Sequence, residues 1–217
     1  METFEDRLRR FLFGAVREIP LTLLNSIANF FLPQIQEAGK QQLDYLVLLG
    51  AHSIIQIVAE QIFGQHGPSG TGFYLRQFVD TGTPDRTYSA IYTDIHEFRN
   101  VIAHRWMSGG GHFLAIDYTI SGGFEKRGPH LHFNPAIFLE DFSAGFGARG
   151  RIWGYQKLTT DDDLLIRKYE FIADWLKLPR KDPIRLQIDA LRAQAPGPGQ
   201  SAIENAIQAD IATRYSL

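Results

Sequence analysis

The stretch from Lys40 to Gly64, "KQQLDYLVLLGAHSIIQIVAEQIFG", decides the fold because it predicts the longest helix of the chain. Its apolar residues recur at steps of three and four, which is the period of a helix with one apolar face. They are Leu43, Leu46, Val47, Ile54, Ile57, Val58 and Ile62. The polar residues that interrupt the stretch are Asp44, His52, Gln56, Glu60 and Gln61. A membrane span would not tolerate so many polar groups, so the pattern predicts a buried amphipathic helix and no membrane contact.

Further helices are predicted on both sides of this stretch. On the N-terminal side they cover about residues 4–14 and 21–37, and Pro33 is expected to kink or end the second one. On the C-terminal side, "TTDDDLLIRKYEFIADWLKLP" at 159–179 has three aspartates in its first turn, where the helix dipole favours negative charge. Another helix is predicted over about 182–195. The sequence therefore predicts a mainly α protein.

The glycine-rich stretch "GQHGPSGTG" at 64–72 invites comparison with a phosphate-binding loop. The comparison fails because no Lys-Ser or Lys-Thr follows the glycines and no strand is predicted before them. We predict a flexible connector here. A short helix over about 73–79 follows, and then a helix that starts at Pro84, with Thr83 as its cap, and runs to about Met107.

A β-hairpin insertion is predicted over about 111–134. The segments "HFLAIDYTI" at 112–120 and "HLHF" at 130–133 are rich in β-branched and aromatic residues, and "SGGFEKRGP" separates them. The hairpin includes His112, His130 and His132, and neutral imidazoles are good ligands for transition metals. Because no acidic residue with clear ligand spacing lies nearby, we interpret them as edge-strand or loop histidines and predict no metal site.

Composition and charge narrow the class of protein. The formal net charge of the 217 residues is −2, so the chain has no general electrostatic signature of a nucleic-acid binder, although a local basic site is compatible with it. There is no cysteine, which excludes disulfides, thiolate zinc sites and a cysteine nucleophile. We predict a cytoplasmic protein without a cofactor. A single helical-bundle domain is expected at 1–195, followed at 196–217 by a linker and a weak C-terminal helix.

Polar side chains share one face of the segment "DIHEFRNVIAHRWM" at 94–107. At about 100° per residue, His96, Arg99, Asn100 and His104 fall within roughly 140° of the helix circumference. The apolar residues cluster on the opposite side, so the polar set should lie beside the buried face. His96 and His104 are about 12 Å apart along the axis, too far to bind one metal ion.

The residues "FRNVIAH" at 98–104 resemble the signature of the HEPN superfamily, all-helical bundle domains found in nucleotide-related, toxin and antiviral systems. In catalytic members the motif is an arginine, a short spacer whose first residue is commonly polar, and a histidine near the end of a bundle helix. Arg99, Asn100 and His104 match these elements in order. The resemblance covers this helix closely and the neighbouring long helices only in general pattern. It implies a HEPN-like helical bundle with the β-hairpin inserted after the motif helix.

The resemblance also implies an activity. HEPN ribonucleases work without a metal, as homodimers in which two copies of the motif meet at one cleft. By analogy, His104 would be a general base or acid, and Arg99 would bind the scissile phosphate. Asn100 would orient His104 or the phosphate, and His96 would be an auxiliary proton carrier or only a neighbour. The expected partners are an RNA substrate, a second copy of the chain and, in a toxin–antitoxin or defence context, an antitoxin protein.

A different class of function remains open. A helix face with arginine, asparagine and histidine can simply make interhelical hydrogen bonds or line an interface. The alternative is therefore a non-catalytic, HEPN-like module that binds RNA or another protein. Spacing alone does not decide, because Arg127 and His132 show the same five-residue interval within the predicted hairpin.

A second segment suggests contact with RNA. The stretch "GARGRIWGYQK" at 147–157 is predicted to be an irregular basic loop. Basic and aromatic side chains alternate in it, a mixture that can pair with phosphates and stack on bases. These residues are Arg149, Arg151, Trp153, Tyr155 and Lys157. The alternative interpretation is an ordinary solvated loop.

Overall fold

The protein is mainly α-helical, as predicted, with a small three-stranded mixed sheet in the middle of the chain. A computed structural model describes residues 2–83, 85–105, 113–147, 151–194 and 196–217. Within these residues, 10 α-helices are present. They are α1 (Phe4–Phe13), α2 (Glu18–Ser26), α3 (Leu32–Lys40), α4 (Asp44–Phe63), α5 (Gly67–Tyr74), α6 (Tyr92–Arg105), α7 (Pro135–Ala144), α8 (Asp161–Trp175), α9 (Pro183–Ala193) and α10 (Pro198–Tyr215).

Five shorter helical segments connect these helices. Two are π-helical, Ile27–Phe31 and Leu75–Val79. Three are 3₁₀-helical, Asp80–Gly82, Tyr88–Ile91 and Arg151–Lys157. The last one corrects the sequence prediction for residues 151–157 of the basic segment, which form a 3₁₀ helix and not an irregular loop.

The chain forms two compact units. Unit 1 consists of Met1–Leu23 and Thr159–Leu217, and unit 2 of Leu24–Leu158. Residues 196–217 belong to unit 1, where Ile207 and Ile211 of α10 are fully buried. The structure thus groups the chain differently from the predicted division into 1–195 and 196–217, which stays a prediction about independent domains.

Unit 1 packs α1, α8, α9 and α10 around one apolar core. Its centre includes Leu12, Tyr169, Ile184 and Leu191, all fully buried. The helix starts follow the sequence signals: the Thr160 side chain accepts from the backbone N–H of Asp163, and Asp182 accepts from Ile184. Unit 1 is therefore a helical bundle by itself.

Helix α4 is the central helix of unit 2 and confirms the predicted helix, although Leu46 and Ile57 of its predicted apolar face are exposed. Residues along its whole length, such as Ala51, Ile55 and Val58, are fully buried. It is also long and apolar enough to cross a membrane, judged by length and composition alone, and half of its most apolar window is buried inside the structure. The burial of one face accounts for its apolar composition, and the prediction of no membrane contact stays a prediction.

The inserted sheet differs from the predicted hairpin. Its strands are β1 (Phe113–Ile116), β2 (Phe124–Arg127) and β3 (His130–Phe133), in the order β1-β3-β2. β1 and β3 are neighbours, as predicted, but they run parallel, and the segment predicted as the turn forms β2, antiparallel to β3. The hairpin is therefore the one between β2 and β3. Its two-residue loop begins at Gly128, whose φ of +63° suits a tight turn.

The glycine-rich stretch forms helix α5, so the prediction of a flexible connector is wrong. Its glycines permit close packing: a Cβ on Gly70 would lie 2.5 Å from the carbonyl oxygen of Gln65, and one on Gly72 would lie 3.1 Å from the ring of Tyr92. Close contact with α4 and α6 outweighs the low helix propensity of glycine here. The helix also fixes Thr71, which is fully buried.

Candidate functional site

Helix α6 holds the residues that the sequence singled out. His96, Arg99 and Asn100 are half-buried, whereas Ile91, Ile95 and Phe98 are buried, so the predicted orientation of the two faces is confirmed for these residues. The helix begins at Tyr92, later than the predicted start at Pro84, because a separate 3₁₀ turn precedes it. His104 lies in its last turn, and the His104 side chain, like Met107, is outside the described residues.

One nitrogen of the Arg99 guanidinium donates a hydrogen bond within the described residues, and another has no acceptor there. Its Nη1 donates to Oδ1 of Asn100 at 2.9 Å. Its Nε is buried and has no hydrogen-bond partner among the described residues. A buried N–H without an acceptor is costly, and an anion bound beside Arg99 would provide that acceptor.

Two histidines and a threonine meet next to this arginine. Nε2 of His52, in α4, lies 3.2 Å from Nδ1 of His96. The hydroxyl oxygen of Thr71, in α5, is 3.4 Å from each of these two nitrogens. Gln56 donates to the same hydroxyl at 2.8 Å. Three helices of unit 2 thus contribute to one polar cluster.

Burial keeps both imidazoles of this cluster neutral. It lowers the pKa of His52 from the usual 6.5 to about 3, with smaller contributions from the charges of His96 and Arg99. Burial and the charge of Arg99 also lower the pKa of His96, and Glu97 opposes this effect. A neutral imidazole has one N–H and one lone pair, so His96 can donate one hydrogen bond and accept one.

No family model, curated protein or solved structure matches the chain. Its function is therefore argued from its own residues.

The interval of Arg99 and His104 is repeated by Arg127 and His132, but in another setting. Arg127 forms ion pairs with Glu125 at 2.7 Å and with Asp117 at 3.3 Å. Nδ1 of His132 is 3.3 Å from the same carboxylate of Asp117. Both side chains of this pair lie beside carboxylates of the inserted sheet, which makes it a useful control for the pair in α6.

The structure places the predicted RNA-binding residues of the basic segment in different environments. Nε of Arg151 donates to the carbonyl oxygen of Phe78 at 2.8 Å, and the half-buried Trp153 donates to that of Phe146 at 3.3 Å. Tyr155 is fully buried, Lys157 is exposed, and Arg149 lies outside the described residues. A buried ring cannot stack on a base, so RNA contact stays a prediction mainly for Lys157 and Arg149.

In the part of the chain that the structure describes, no three histidine, cysteine, aspartate or glutamate residues form a group that could hold a metal ion. His130 and His132 lie two residues apart on β3, and His132 contacts Asp117. His112 is outside the described residues. The absence of a metal site stays a prediction.

The sequence did not reveal His52 and Thr71 as members of the site. In the sequence, His52 is a polar residue within an apolar helix, and Thr71 is part of the glycine-rich stretch. One signal was available, since a histidine on the buried face of a helix needs a polar partner from another element. Which element provides the partner is a question of tertiary packing.

His52 predicts a specific loss of stability in acid. Above about pH 6.5 neither the folded nor the unfolded chain protonates this ring, but between pH 6.5 and about 3 only the unfolded chain does. The free energy of unfolding should therefore fall by up to about 1.4 kcal/mol per pH unit as the pH decreases through this window. Chemical denaturation of wild type and His52→Gln at several pH values isolates the effect, because the other groups contribute to both proteins. Parallel pH curves would contradict it.

Proposed function

We propose that the chain is a HEPN-like, metal-independent endoribonuclease that acts as a homodimer. The main support is Arg99, whose buried Nε lacks an acceptor among the described residues, on the helix that also contains Asn100 and His104. These residues match the motif of the superfamily in order. A phosphate oxygen would give the Nε of Arg99 the acceptor that the described residues do not provide.

The proposed reaction is transesterification. The ribose 2′-oxygen attacks the adjacent phosphorus, so the O2′–P bond forms, the P–O5′ bond breaks, and the product carries a 2′,3′-cyclic phosphate. A histidine accepts the 2′-hydroxyl proton, and an acid returns a proton to the leaving 5′-oxygen. His104 takes one of these roles, and Arg99 stabilises the charge on the phosphate oxygens. Asn100 holds the guanidinium through its side-chain oxygen.

The exposed face of α4 supports the dimer. Leu46, Ser53 and Ile57 are exposed on one side of the helix, and Gly50 between them packs against Ile35 of α3. Leu46 is 55% exposed and Ile57 is 43% exposed. The two side chains lie about three turns apart on this side of α4, and exposed large apolar side chains are frequent at interaction surfaces. The proposed occupant is the same face of a second copy.

Incubation of the purified protein with single-stranded RNA in excess chelator tests the activity. We expect cleavage products that end in a 2′,3′-cyclic phosphate, identified by mass, and a rate that chelator does not change. Intact RNA, or cleavage that stops when chelator is added, would contradict the proposal. Binding without cleavage would favour the alternative, a non-catalytic module that binds RNA or a protein partner such as an antitoxin.

The double variant Leu46→Glu/Ile57→Glu is expected to weaken the dimer about tenfold or more, because it places four carboxylates in a two-fold apolar contact. Sedimentation equilibrium measures the dissociation constant. Leu186→Glu is the matched control, since Leu186 of α9 is 58% exposed but lies in unit 1. A wild-type protein that is monomeric at every concentration, or a double variant that dimerises normally, would refute the proposed interface.

A further inference from the structure

We propose that His52 and Thr71 are positioning residues that fix His96 as the tautomer with its proton on Nε2, so that His96 donates a hydrogen bond to the phosphate that Arg99 binds. The proposal deepens the ribonuclease function and rests on it. It concerns residues that the motif does not include, because His52 and Thr71 lie in α4 and α5.

The rings of His52 and His96 share one hydrogen bond, and only one of the two rings can donate it. Nε2 of His52 and Nδ1 of His96 are 3.2 Å apart, a distance that requires one proton between them. A neutral ring nitrogen either carries a proton or accepts one, and it cannot do both. Two arrangements are therefore available: His52 donates through Nε2, or His96 donates through Nδ1.

The other nitrogen of His52 favours the first arrangement. Nδ1 of His52 is buried and has no hydrogen-bond partner among the described residues, in a side chain that is 1% exposed. If His96 were the donor, the neutral His52 ring would have to place its own proton on this Nδ1. A buried N–H without an acceptor would result, and such groups are rarer in proteins than buried acceptors without a donor. With His52 as the donor, Nδ1 has only a lone pair.

The surroundings of the cluster are consistent with neutral rings and a fixed geometry. The N–H of Gln56 donates to the hydroxyl oxygen of Thr71, so the hydroxyl proton is free to point to a ring nitrogen or to the carbonyl oxygen of Gly67. Thr71 is fully buried and makes contact with both rings, which limits their rotation. The lowered pKa of both histidines excludes a shared second proton near pH 7.

The His96 ring provides a second hydrogen-bond donor beside Arg99. With Nδ1 of His96 accepting from His52, the proton of the His96 ring is on Nε2. His96 and Arg99 are three residues apart on α6, so their side chains are neighbours on one helix face. A phosphate held by Arg99 can then accept from Nε2–H of His96 as negative charge develops on its oxygens. Replacing His52 by leucine, which has no donor, should lower kcat and affect KM little.

Two variants of His52 distinguish the loss of its hydrogen-bond donor from the loss of its packing. His52→Gln keeps an N–H near the position of Nε2, whereas His52→Leu has similar size without a donor. Thr71→Ser likewise keeps the hydroxyl at position 71, whereas Thr71→Val has a similar size without it. Long-range ¹H–¹⁵N spectra of His96 report its tautomer independently of activity. We expect a protonated Nε2 and an unprotonated Nδ1 in wild type and His52→Gln, and a mixture of tautomers in His52→Leu.

Activity gives the second measurement. His52→Leu should cleave RNA about tenfold to a hundredfold more slowly, and His52→Gln should recover most of the rate. A wild-type His96 with its proton on Nδ1 would overturn the proposal whatever the activity. Equal rates in the leucine and glutamine variants would also overturn it. Expected spectra in a protein that cuts no RNA would instead refute the ribonuclease function and support the tautomer assignment.

Discussion

Arg99→Ala and His104→Ala are each expected to slow chelator-resistant RNA cleavage by about 10²- to 10⁴-fold. Loss of a general acid or base costs a rate in this range, and so does loss of a donor that stabilises the charge of the transition state. Arg99→Lys should recover little of the rate, because an ammonium group keeps the charge but lacks the planar fork of the guanidinium. Single-turnover cleavage of a short labelled RNA measures these rates.

Arg127 and His132, which have the same interval as Arg99 and His104, give the control for this experiment. Arg127→Ala and His132→Ala remove the same residue types at the same interval from the inserted sheet. Their ion pairs with Asp117 and Glu125 have no role in the proposed chemistry. We expect both control variants to cleave RNA within about twofold of wild type. If the two pairs of variants lost equal activity, or none, Arg99 and His104 would not be the catalytic residues.

Asp141→Ala should lower the free energy of unfolding of unit 2 by about 3 kcal/mol. Arg86 donates to both carboxylate oxygens of Asp141, at 2.7 and 2.8 Å, and the hydroxyl of Tyr88 donates to one of them at 2.8 Å. Asp141 is 4% exposed, and Tyr88 is fully buried. Removing the carboxylate leaves a guanidinium and a buried hydroxyl without their acceptor.

Glu140→Ala provides the comparison, since Glu140 is the exposed neighbour of Asp141 in α7. Its effect should stay within about 0.5 kcal/mol. Denaturant titration measures both variants in a Trp106→Phe/Trp175→Phe background, where the fluorescence comes from Trp153 of unit 2 alone. A similar stability for Asp141→Ala and Glu140→Ala would show that the ion pair contributes nothing beyond a surface contact.

The sequence predicted the elements whose signals are local. Helix α8 starts at Asp161, where its three aspartates predict, and α7 starts at Pro135 after Asn134, whose side chain accepts from the N–H groups of Ala136 and Ile137. The period of apolar residues in α4 predicts the helix and the burial of Val47, Ile54, Val58 and Ile62, whereas Leu46 and Ile57 of the same set are exposed. Caps and periodicity depend on neighbours within a few residues, so a single sequence contains them.

Elements that depend on distant contacts were not predicted. The glycines of α5 suggested a loop, and only the neighbouring Gln65 backbone and the ring of Tyr92 show why small residues occur there. The parallel pairing of β1 with β3 depends on a third strand that looked like a turn. The same limit applies to the site. Arg99, Asn100 and His96 share one helix and could be found, but His52 and Thr71 approach them from other helices.

The composition of unit 1 from two separated parts of the chain has a consequence for biosynthesis. Residues 24–158 are all present before Thr159 is added, so unit 2 can fold while synthesis continues. Helix α1 cannot pack until its partners α8 and α10 have been synthesised. The hydrogen bond that Lys168 donates to the carbonyl oxygen of Gly14, for example, joins residues 154 positions apart. Contacts of such long range form slowly. During that interval Leu8, Phe11 and Leu12 are without their core, and the nascent chain is most open to chaperones and to aggregation.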